Sequence, residues 1–99
     1  MPSKNYYVYI MTNKNKSVLY IGVTGNLRKR IYEHKKGYCK ESFTRKYNLL
    51  KLLHYEEYNN PNIAIAREKQ LKAWNRQWKE RLINKHNKDW ADLSADWED

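Results

Sequence analysis

The sequence predicts an α+β domain in which a small, three-stranded, mainly antiparallel sheet is flanked by helices. Three observations favour this class: short runs of β-branched and aromatic residues near the N-terminus, two later stretches with apolar residues at helical spacing, and a further apolar run between those stretches. The expected order of elements is β-β-α-(short α)-β-α-α. The chain has 99 residues, which fits one domain because domains of roughly 100–150 residues are the commonest size.

The first two strands are expected at residues 6–11 and 18–23, on either side of a polar turn that contains asparagine. Two short strands joined by such a loop are typical of an antiparallel hairpin. Residues 49–58 fit a helix or a strand by pattern alone. Their position directly before the turn at residues 59–62 favours a third strand.

Asn26 can cap the first helix, because its side chain can accept a hydrogen bond from a free backbone N–H. Leu27 and Ile31 then recur at helical spacing, and Gly37 is typical of a helix stop. These residues predict a helix over about residues 26–36.

A second long helix should begin with Asn60 as its cap and Pro61 at the first helical position. Its predicted apolar stripe consists of Ile65, Leu71, Trp74, Trp78 and Leu82. A bend is expected near Asn75. Between the first helix and the third strand, residues 41–46 are expected to form a short helical turn.

Charge is the strongest indication of a binding partner. The 20 Lys and Arg outnumber the 11 Asp and Glu, which gives a formal charge of +9 and a pI near 9.7. A small domain with such a pI attracts polyanions, above all nucleic acid. Residues 1–88 hold all the bases and six acids, a net charge of +14, whereas residues 89–99 hold five acids and no base. The chain therefore divides into a basic domain and an acidic, tryptophan-containing tail.

Several classes of protein do not fit this composition. The longest apolar run, residues 6–11, has six residues, whereas a membrane helix needs about 20, so no membrane partner is expected. The N-terminus lacks the apolar core of a signal peptide. A single cysteine cannot form an internal disulfide, and no Cys/His cluster indicates zinc. The sequence predicts a cytoplasmic protein.

Polar groups occur where apolar ones would be expected. Tyr9 and Tyr20 lie in the two hairpin strands, where pairing can bring them together. Arg30 and His34 lie four residues apart and therefore on one face of the first helix. Glu68 interrupts the apolar stripe of the second helix. A buried carboxylate must be paired or bind a metal, because burying a bare charge is costly.

Tyr7-Val8-Tyr9, followed after ten residues by Tyr20-Ile21-Gly22, resembles the two-part motif of the GIY-YIG nuclease superfamily. Arg30 falls at the position of the essential arginine of that family, and His34 at that of a histidine found in several members. Glu68 matches the metal-binding glutamate. The resemblance covers about residues 5–85 and is strongest to a small, stand-alone bacterial subfamily of uncharacterised proteins.

This sequence departs from the family pattern at three points. The first motif begins with Tyr7-Val8 instead of Gly-Ile. Val23 stands where some relatives have a lysine after Tyr-Ile-Gly. Asn75 and Asn84 are candidate counterparts of an asparagine that many members carry near the C-terminus.

The resemblance implies an endonuclease that uses Mg²⁺ or Mn²⁺ to hydrolyse DNA, in repair, recombination or processing. On this reading residues 1–88 are the nuclease domain. Glu68 holds the metal, Arg30 contacts the scissile phosphate, and His34 relays a proton or contacts phosphate. Tyr9 is the first candidate for general base, with Tyr20 beside it. A free tyrosine has a pKa of about 10 and is a poor base, but neighbouring cations favour its phenolate form.

Six basic residues are candidates for contacting nucleic acid, namely Arg28, Lys29, Lys35, Lys36, Arg45 and Lys46. DNA is the expected partner, and the sequence leaves RNA open. Because the chain has no room for a second DNA-binding domain, substrate choice is expected to depend on DNA structure or on a protein partner. The sequence also leaves the oligomeric state open.

Other readings compete with this one. The same basic face could belong to a module that binds nucleic acid without cutting it, or to a domain that binds an acidic protein. The tyrosines could be ordinary strand aromatics, and Glu68 could pair with Lys72 at i,i+4. The acidic tail could fold back over the basic face, or its two tryptophans could complete the core.

Overall fold

A computed structural model describes residues 5–37 and 48–97. In these two ranges the chain forms three strands and three helices: β1 (Tyr6–Thr12), β2 (Leu19–Thr24), α1 (Leu27–Lys36), β3 (Lys51–Tyr58), α2 (Pro61–Ala73) and α3 (Arg76–His86). The predicted α+β class is confirmed. The helical turn expected at 41–46 lies outside the described residues. None of the helices within the described ranges has the length and apolar character needed to cross a membrane.

The strands form one sheet with β1 at its centre, in the order β2-β1-β3, and both pairings are antiparallel. Tyr9 of β1 lies opposite Gly22 of β2 and Tyr55 of β3. The register of β1 and β3 shifts after Ile10, which leaves Leu53 as an extra residue on β3. Such a bulge bends the strand and changes the side to which later side chains point.

The predicted helix ends are confirmed because they depend on local hydrogen bonds. The Asn26 side chain accepts from the backbone N–H of Lys29 at 3.2 Å. Gly37 adopts the left-handed conformation, with φ of 74°, that favours glycine after a helix. The Asn60 side chain accepts from the N–H of Asn62 at 2.8 Å and caps α2.

The two faces of the sheet bury separate clusters, because alternate residues of β1 point to opposite sides. On the α1 face the buried cluster consists of Tyr9, Met11, Leu27, Ile31, Leu49 and Leu52. On the face covered by α2 and α3 it consists of Val8, Ile10, Ile21, Leu53, Ala64, Leu71 and Ile83. Helix α1 therefore approaches the side of the sheet from which Tyr9 projects.

The predicted stripe of the second helix is partly wrong. Ile65 is 41% exposed and Trp78 is 49% exposed, whereas Ala64 and Ile83 are fully buried. The reason is that the predicted stripe runs across the boundary between α2 and α3. Helix α3 starts anew at Asn75, where a bend was expected, and the Asn75 side chain accepts from the N–H of Trp78 at 2.9 Å. A break in the axis ends one periodic stripe and begins another.

The chain after α3 returns to β3. The Asn87 side chain, which is buried, donates to the carbonyl of Leu53 at 3.1 Å. Further along, the N–H of Leu93 donates to the carbonyl of Leu52 at 2.8 Å, and the N–H of Leu52 donates to Asp92 Oδ1 at 3.1 Å. These bonds satisfy backbone groups at an outer strand of the sheet and fix the acidic tail against the domain.

Candidate active site

Tyr9, Tyr20 and His34 meet on the α1 face and are called the ring cluster below. The Tyr9 hydroxyl lies 2.8 Å from His34 Nε2, and both side chains are buried, at 1% and 2% exposure. The ring centroids of Tyr20 and His34 are 5.3 Å apart, and those of Tyr9 and Tyr20 are 6.2 Å apart. Two tyrosines from the hairpin and one histidine from α1 are thus brought together, as the sequence predicted.

Gly22 makes room for this arrangement. A Cβ built on Gly22 would overlap the Tyr9 hydroxyl and lie 2.9 Å from Cε1 of the ring. Real Cβ atoms do not approach a neighbour this closely, so a side chain at this position would displace the Tyr9 ring. The hairpin register, which places Gly22 opposite Tyr9, therefore fixes the position of the tyrosine hydroxyl.

The Tyr9–His34 pair can hold or transfer one proton. When Nε2 carries no hydrogen it accepts the phenol proton, and when it is protonated it donates to the phenol oxygen. Tyr20 packs against both partners but is only partly buried. It lines a surface concavity with Leu19, Ile21, Lys72 and Lys79. The ring cluster thus extends from a buried hydrogen bond to the protein surface at Tyr20.

Arg30 lies one turn before His34 on α1. Its Nη1 atom is 3.6 Å from Glu33 Oε1, and its side chain is 28% exposed. It lines a second concavity together with Thr24 and Gly25 at the end of β2. A guanidinium group has donors in a planar fork that matches the oxygens of a phosphate. The position is therefore suited to binding a phosphate beside the ring cluster.

Glu68 follows the buried Ala64 by one turn on α2, and its side chain is 15% exposed. Its Oε2 atom is 3.1 Å from Nζ of Lys72, so the i,i+4 ion pair anticipated from the sequence is present. The Lys72 side chain is 55% exposed. Lys72 also lines the concavity that contains Tyr20, so the partner of Glu68 borders the surface that Tyr20 reaches.

The donor chemistry of Glu68 fits Mg²⁺ or Mn²⁺, since both prefer carboxylate oxygens. Within residues 5–37 and 48–97, no three His, Cys, Asp or Glu side chains are grouped to hold a metal by themselves. Magnesium is commonly held by one or two carboxylates together with substrate phosphates and water. A single carboxylate, with water and substrate oxygens as the other ligands, is consistent with that type of site.

Two of the predicted nucleic-acid contacts are engaged by the tail. The Arg28 guanidinium lies over the Trp97 ring, 5.0 Å from its centroid. Nζ of Lys35 is 2.7 Å from Asp92 Oδ2. Burial would raise the pKa of the Asp92 carboxyl, but hydrogen bonds from Lys35, Ser94 and the Leu52 backbone hold it below its ordinary value. The tail thus contacts one flank of α1, and its tryptophans pack against the two clusters of the core.

The other predicted contacts divide into two groups. Lys29 and Lys36 are exposed on α1, and the Lys36 ammonium lies 5.7 Å from the centroid of the Tyr32 ring. Arg45 and Lys46 lie outside the described residues. Helix α1 therefore carries the described part of the predicted basic face.

Sequence reasoning missed a second polar cluster, called the Glu56 cluster below, on the opposite face of the sheet. Glu56 accepts hydrogen bonds from Tyr58 at 2.6 Å and from Arg67 at 2.9 and 3.1 Å, and lies 2.8 Å from His54 Nε2. Burial would raise the pKa of Glu56, but these hydrogen bonds hold it well below its usual range. The alternation of His54, Glu56 and Tyr58 could have indicated a shared face, but no local signal joins them to Arg67.

The two candidate asparagines have other contacts. Asn75 caps α3, as described above. The Asn84 side chain accepts a hydrogen bond from Trp90 Nε1 at 2.6 Å. Both amides therefore stabilise the end of the domain that includes α3 and the tail.

Comparison with known proteins agrees with this geometry. The sequence model of the GIY-YIG catalytic domain matches residues 5–84. A UPF0213 protein of Clostridium perfringens is 41% identical over 78 residues, which are 79% of this chain and 82% of that protein. A UPF0213 protein of Syntrophus aciditrophicus is 37% identical over 84 residues, 85% of this chain and 94% of that one.

A solved structure has a similar fold. The solution NMR structure of a UPF0213 protein from Bacillus halodurans superposes with a TM-score of 0.57 at 24% identity. The match covers 93% of this chain and 97% of that one. The match over residues 5–84 and the identity to UPF0213 proteins over most of both chains lead to one conclusion: the chain belongs to the GIY-YIG nuclease family, among the small UPF0213 proteins.

Proposed function

We propose that this protein is an endonuclease that uses Mg²⁺ or Mn²⁺ to hydrolyse phosphodiester bonds of DNA in the cytoplasm, during repair, recombination or processing. DNA structure or a protein partner would direct it to its sites. The observation that carries the proposal is the buried 2.8 Å contact between Tyr9 and His34, with Arg30 on the same helix as the histidine. Residues 1–88 would be the nuclease domain, with residues 89–99 as an acidic tail.

The residues divide the chemistry between them. Hydrolysis of a phosphodiester needs a group that accepts a proton from the attacking water and groups that stabilise charge on the phosphoryl oxygens. Tyr9 would act as the base, and His34 would hold or remove its proton through the hydrogen bond between them. Tyr20 would orient the phosphate or water at the surface, and Arg30 would bind the phosphoryl oxygens.

Glu68 is the residue that would hold the divalent ion. When bound, the ion would supply charge stabilisation for the phosphate and the leaving oxygen. The present partner of Glu68 is an exposed lysine. Exchange of such a partner costs little, because exposed i,i+4 pairs stabilise a helix by about 0.2–0.5 kcal/mol.

A module that binds nucleic acid without cutting it is the second candidate. The observation that favours it is the burial of Tyr9, which is 1% exposed. Such a module would need the cations of α1 but neither a Tyr–His hydrogen bond nor a separate carboxylate on α2.

A nicking assay separates the two candidates. Supercoiled plasmid and a branched DNA are incubated with the protein and Mg²⁺, Mn²⁺ or EDTA, with Glu68→Ala as the test variant and Lys72→Ala as the matched control. We expect cleavage that depends on the metal, is lost in Glu68→Ala and is retained in Lys72→Ala. Binding without cleavage under all metal conditions would support the module instead.

A further inference from the structure

A groove separates α1 from the tail. It encloses about 620 Å³, a volume within the range of small-molecule sites. Its lining includes Arg28, Lys29, Tyr32 and Lys35 of α1 and Trp97 of the tail. Arg30 and Glu33 line a different concavity. The groove adjoins that concavity, since Asn26 and Lys29 line both, but Arg30 and the ring cluster are not part of its lining.

The two walls of the groove have different chemistry. On the α1 side, Arg28, Tyr32 and Lys35 lie at successive helical turns and share one flank of the helix. On the tail side, Trp97 lies edge-on to Tyr55, with ring centroids 6.2 Å apart and an angle of 67°. The Arg28 guanidinium covers its ring at 5.0 Å from the centroid. Contacts on two sides thus fix the position of the tryptophan.

We propose that this groove binds an unpaired nucleotide of a DNA single strand. The inference extends the proposed function, because it names the form of DNA that reaches the enzyme. Single-stranded nucleic acid is bound by aromatic side chains that stack on bases and by cations that track the phosphates. Tyr32 and Trp97 supply rings, and Arg28 supplies a guanidinium plane on which a base can also stack.

Aromatic rings in the lining would not contribute to the binding of duplex DNA. Its base faces are covered by stacking, and it presents phosphates and groove edges to a protein surface. The cations of α1 are sufficient to bind it. Aromatic walls contribute only when a base is unpaired, so their presence between the cations favours a single strand.

The groove also lies close enough to Arg30 for one DNA strand to reach both. Arg28 and Arg30 occupy different flanks of α1, and a helix with its side chains is about 10–12 Å across. A strand with its scissile phosphate near Arg30 would place an unpaired base in the groove after crossing one helix. Asp92 pairs with Lys35 at one side of the groove, and Arg28 covers Trp97, which leaves Lys29 for the phosphates.

Binding without cleavage tests this proposal. The anisotropy of a labelled oligothymidylate of about ten nucleotides, a length within the site sizes of single-strand binders, is compared with that of a duplex of equal length, in EDTA. The variants are Trp97→Ala, Trp97→Phe and, as matched control, Trp78→Ala. Trp78 is an exposed tryptophan of α3, which packs on the other face of the sheet.

We expect Trp97→Ala to weaken binding of the single strand by about 5- to 150-fold, the range for loss of a stacking ring. Trp97→Phe should stay within about threefold of the wild type, since it keeps a ring. Trp78→Ala should change nothing, and Trp97→Ala should leave duplex binding unchanged. Equal weakening of single strand and duplex, or no weakening, overturns the proposal.

Photocrosslinking supplies a second readout that needs no variant. An oligonucleotide carrying 5-iododeoxyuridine should crosslink to Trp97 or Tyr32, whereas crosslinks confined to Trp74 or Trp78 refute the groove. Equal competition by polyglutamate would show an acidic-peptide site and also refutes it. Because these measurements need no cleavage, a protein that binds the strand here but cuts no DNA disproves the nuclease and not the groove.

Discussion

The Glu56 cluster and the candidate active site are built from the same four residue types. Each contains a glutamate, a histidine, a tyrosine and an arginine. In the Glu56 cluster, all the donors converge on one carboxylate. In the candidate site, the tyrosine and histidine bond to each other, the arginine lies on α1, and the carboxylate of Glu68 pairs with an exposed lysine on α2.

This difference shows why residue types alone do not make a site. A carboxylate has about four lone-pair sites, and the side-chain contacts of Glu56 occupy that capacity. Little remains for a metal or substrate, so the Glu56 cluster joins β3 to α2. Glu68 has an exposed partner that a ligand can replace at little cost. The capacity to bind a ligand therefore lies with Glu68.

The largest difference is expected in cleavage rate, between variants of Arg30 and Arg67. We expect Arg30→Ala to lower the single-turnover cleavage rate by about 100- to 1000-fold, the loss typical of one preorganised donor. Arg67→Ala should cleave at close to the wild-type rate while it is folded, because Arg67 bonds Glu56 and not the phosphate. Rates are measured well below both melting temperatures. Equal inactivity of folded Arg67→Ala would place the Glu56 cluster in the catalytic machinery.

For the two glutamates the larger effect is expected in the Glu56 cluster, and it is an effect on stability. Glu56→Ala should lower the free energy of unfolding by about 2–3 kcal/mol, because it leaves several donors of a charged hydrogen-bond cluster without an acceptor. For a domain of this size that corresponds to a fall in Tm of about 10–20 °C. Glu68→Ala should cost about 0.5 kcal/mol or less. The stability of both variants is measured by thermal and urea unfolding, followed by circular dichroism. Similar losses of stability in the two variants would contradict the proposed difference between Glu56 and Glu68.

The position of the Tyr9 ring in the ring cluster depends on the space that Gly22 leaves open. Gly22→Ala should destabilise the fold by about 1–2 kcal/mol through overpacking and lower cleavage by at least about tenfold by displacing the Tyr9 base. In a Tyr9→Leu background, the same substitution should cost less stability, since the clashing hydroxyl is gone. A double-mutant cycle measures this coupling. Additive effects would mean that Gly22 acts on something other than the Tyr9 ring.

The smallest effect is a pH dependence of stability. The pKa of Glu56 is depressed in the folded state, so its contribution is complete above the unfolded value of about 4.3 and is lost as the pH falls below it. By pH 3.5 we expect a loss of about 1 kcal/mol. Wild type and Glu56→Gln are unfolded at a series of pH values, and their difference should narrow below about pH 4. A constant difference would contradict the depressed pKa.

Local chemistry made much of the fold predictable. The caps at Asn26, Gly37 and Asn60 depend on neighbouring backbone groups, and all three lie where the sequence placed them. The family resemblance assigned Tyr9 and His34 to one candidate site, and the structure brings their side chains into contact. These features need only short-range rules or a recognised pattern.

Other features depended on contacts far apart in the sequence. On α2, Leu71 is buried as predicted, but Ile65 is exposed and the neighbouring Ala64 is buried in its place, because alanine is a weaker hydrophobic signal than isoleucine. The break before α3 exposes Trp78, and the bulge at Leu53 follows from strand register. The bond of Arg67 to Glu56 joins two elements across a turn. None of these has a periodic signal within one segment.

The close approach of Gly22 to Tyr9 has a consequence for how related sequences can change. Tyr9 and Gly22 are 13 positions apart in the chain, yet the Tyr9 ring fills the space that a side chain at position 22 would need. A larger residue at 22 can be accepted only together with a smaller one at 9, so the two positions should vary as a pair across descendants. A lineage that exchanged the tyrosine for a smaller residue would no longer need glycine at position 22, and the loss of both would remove the proposed base.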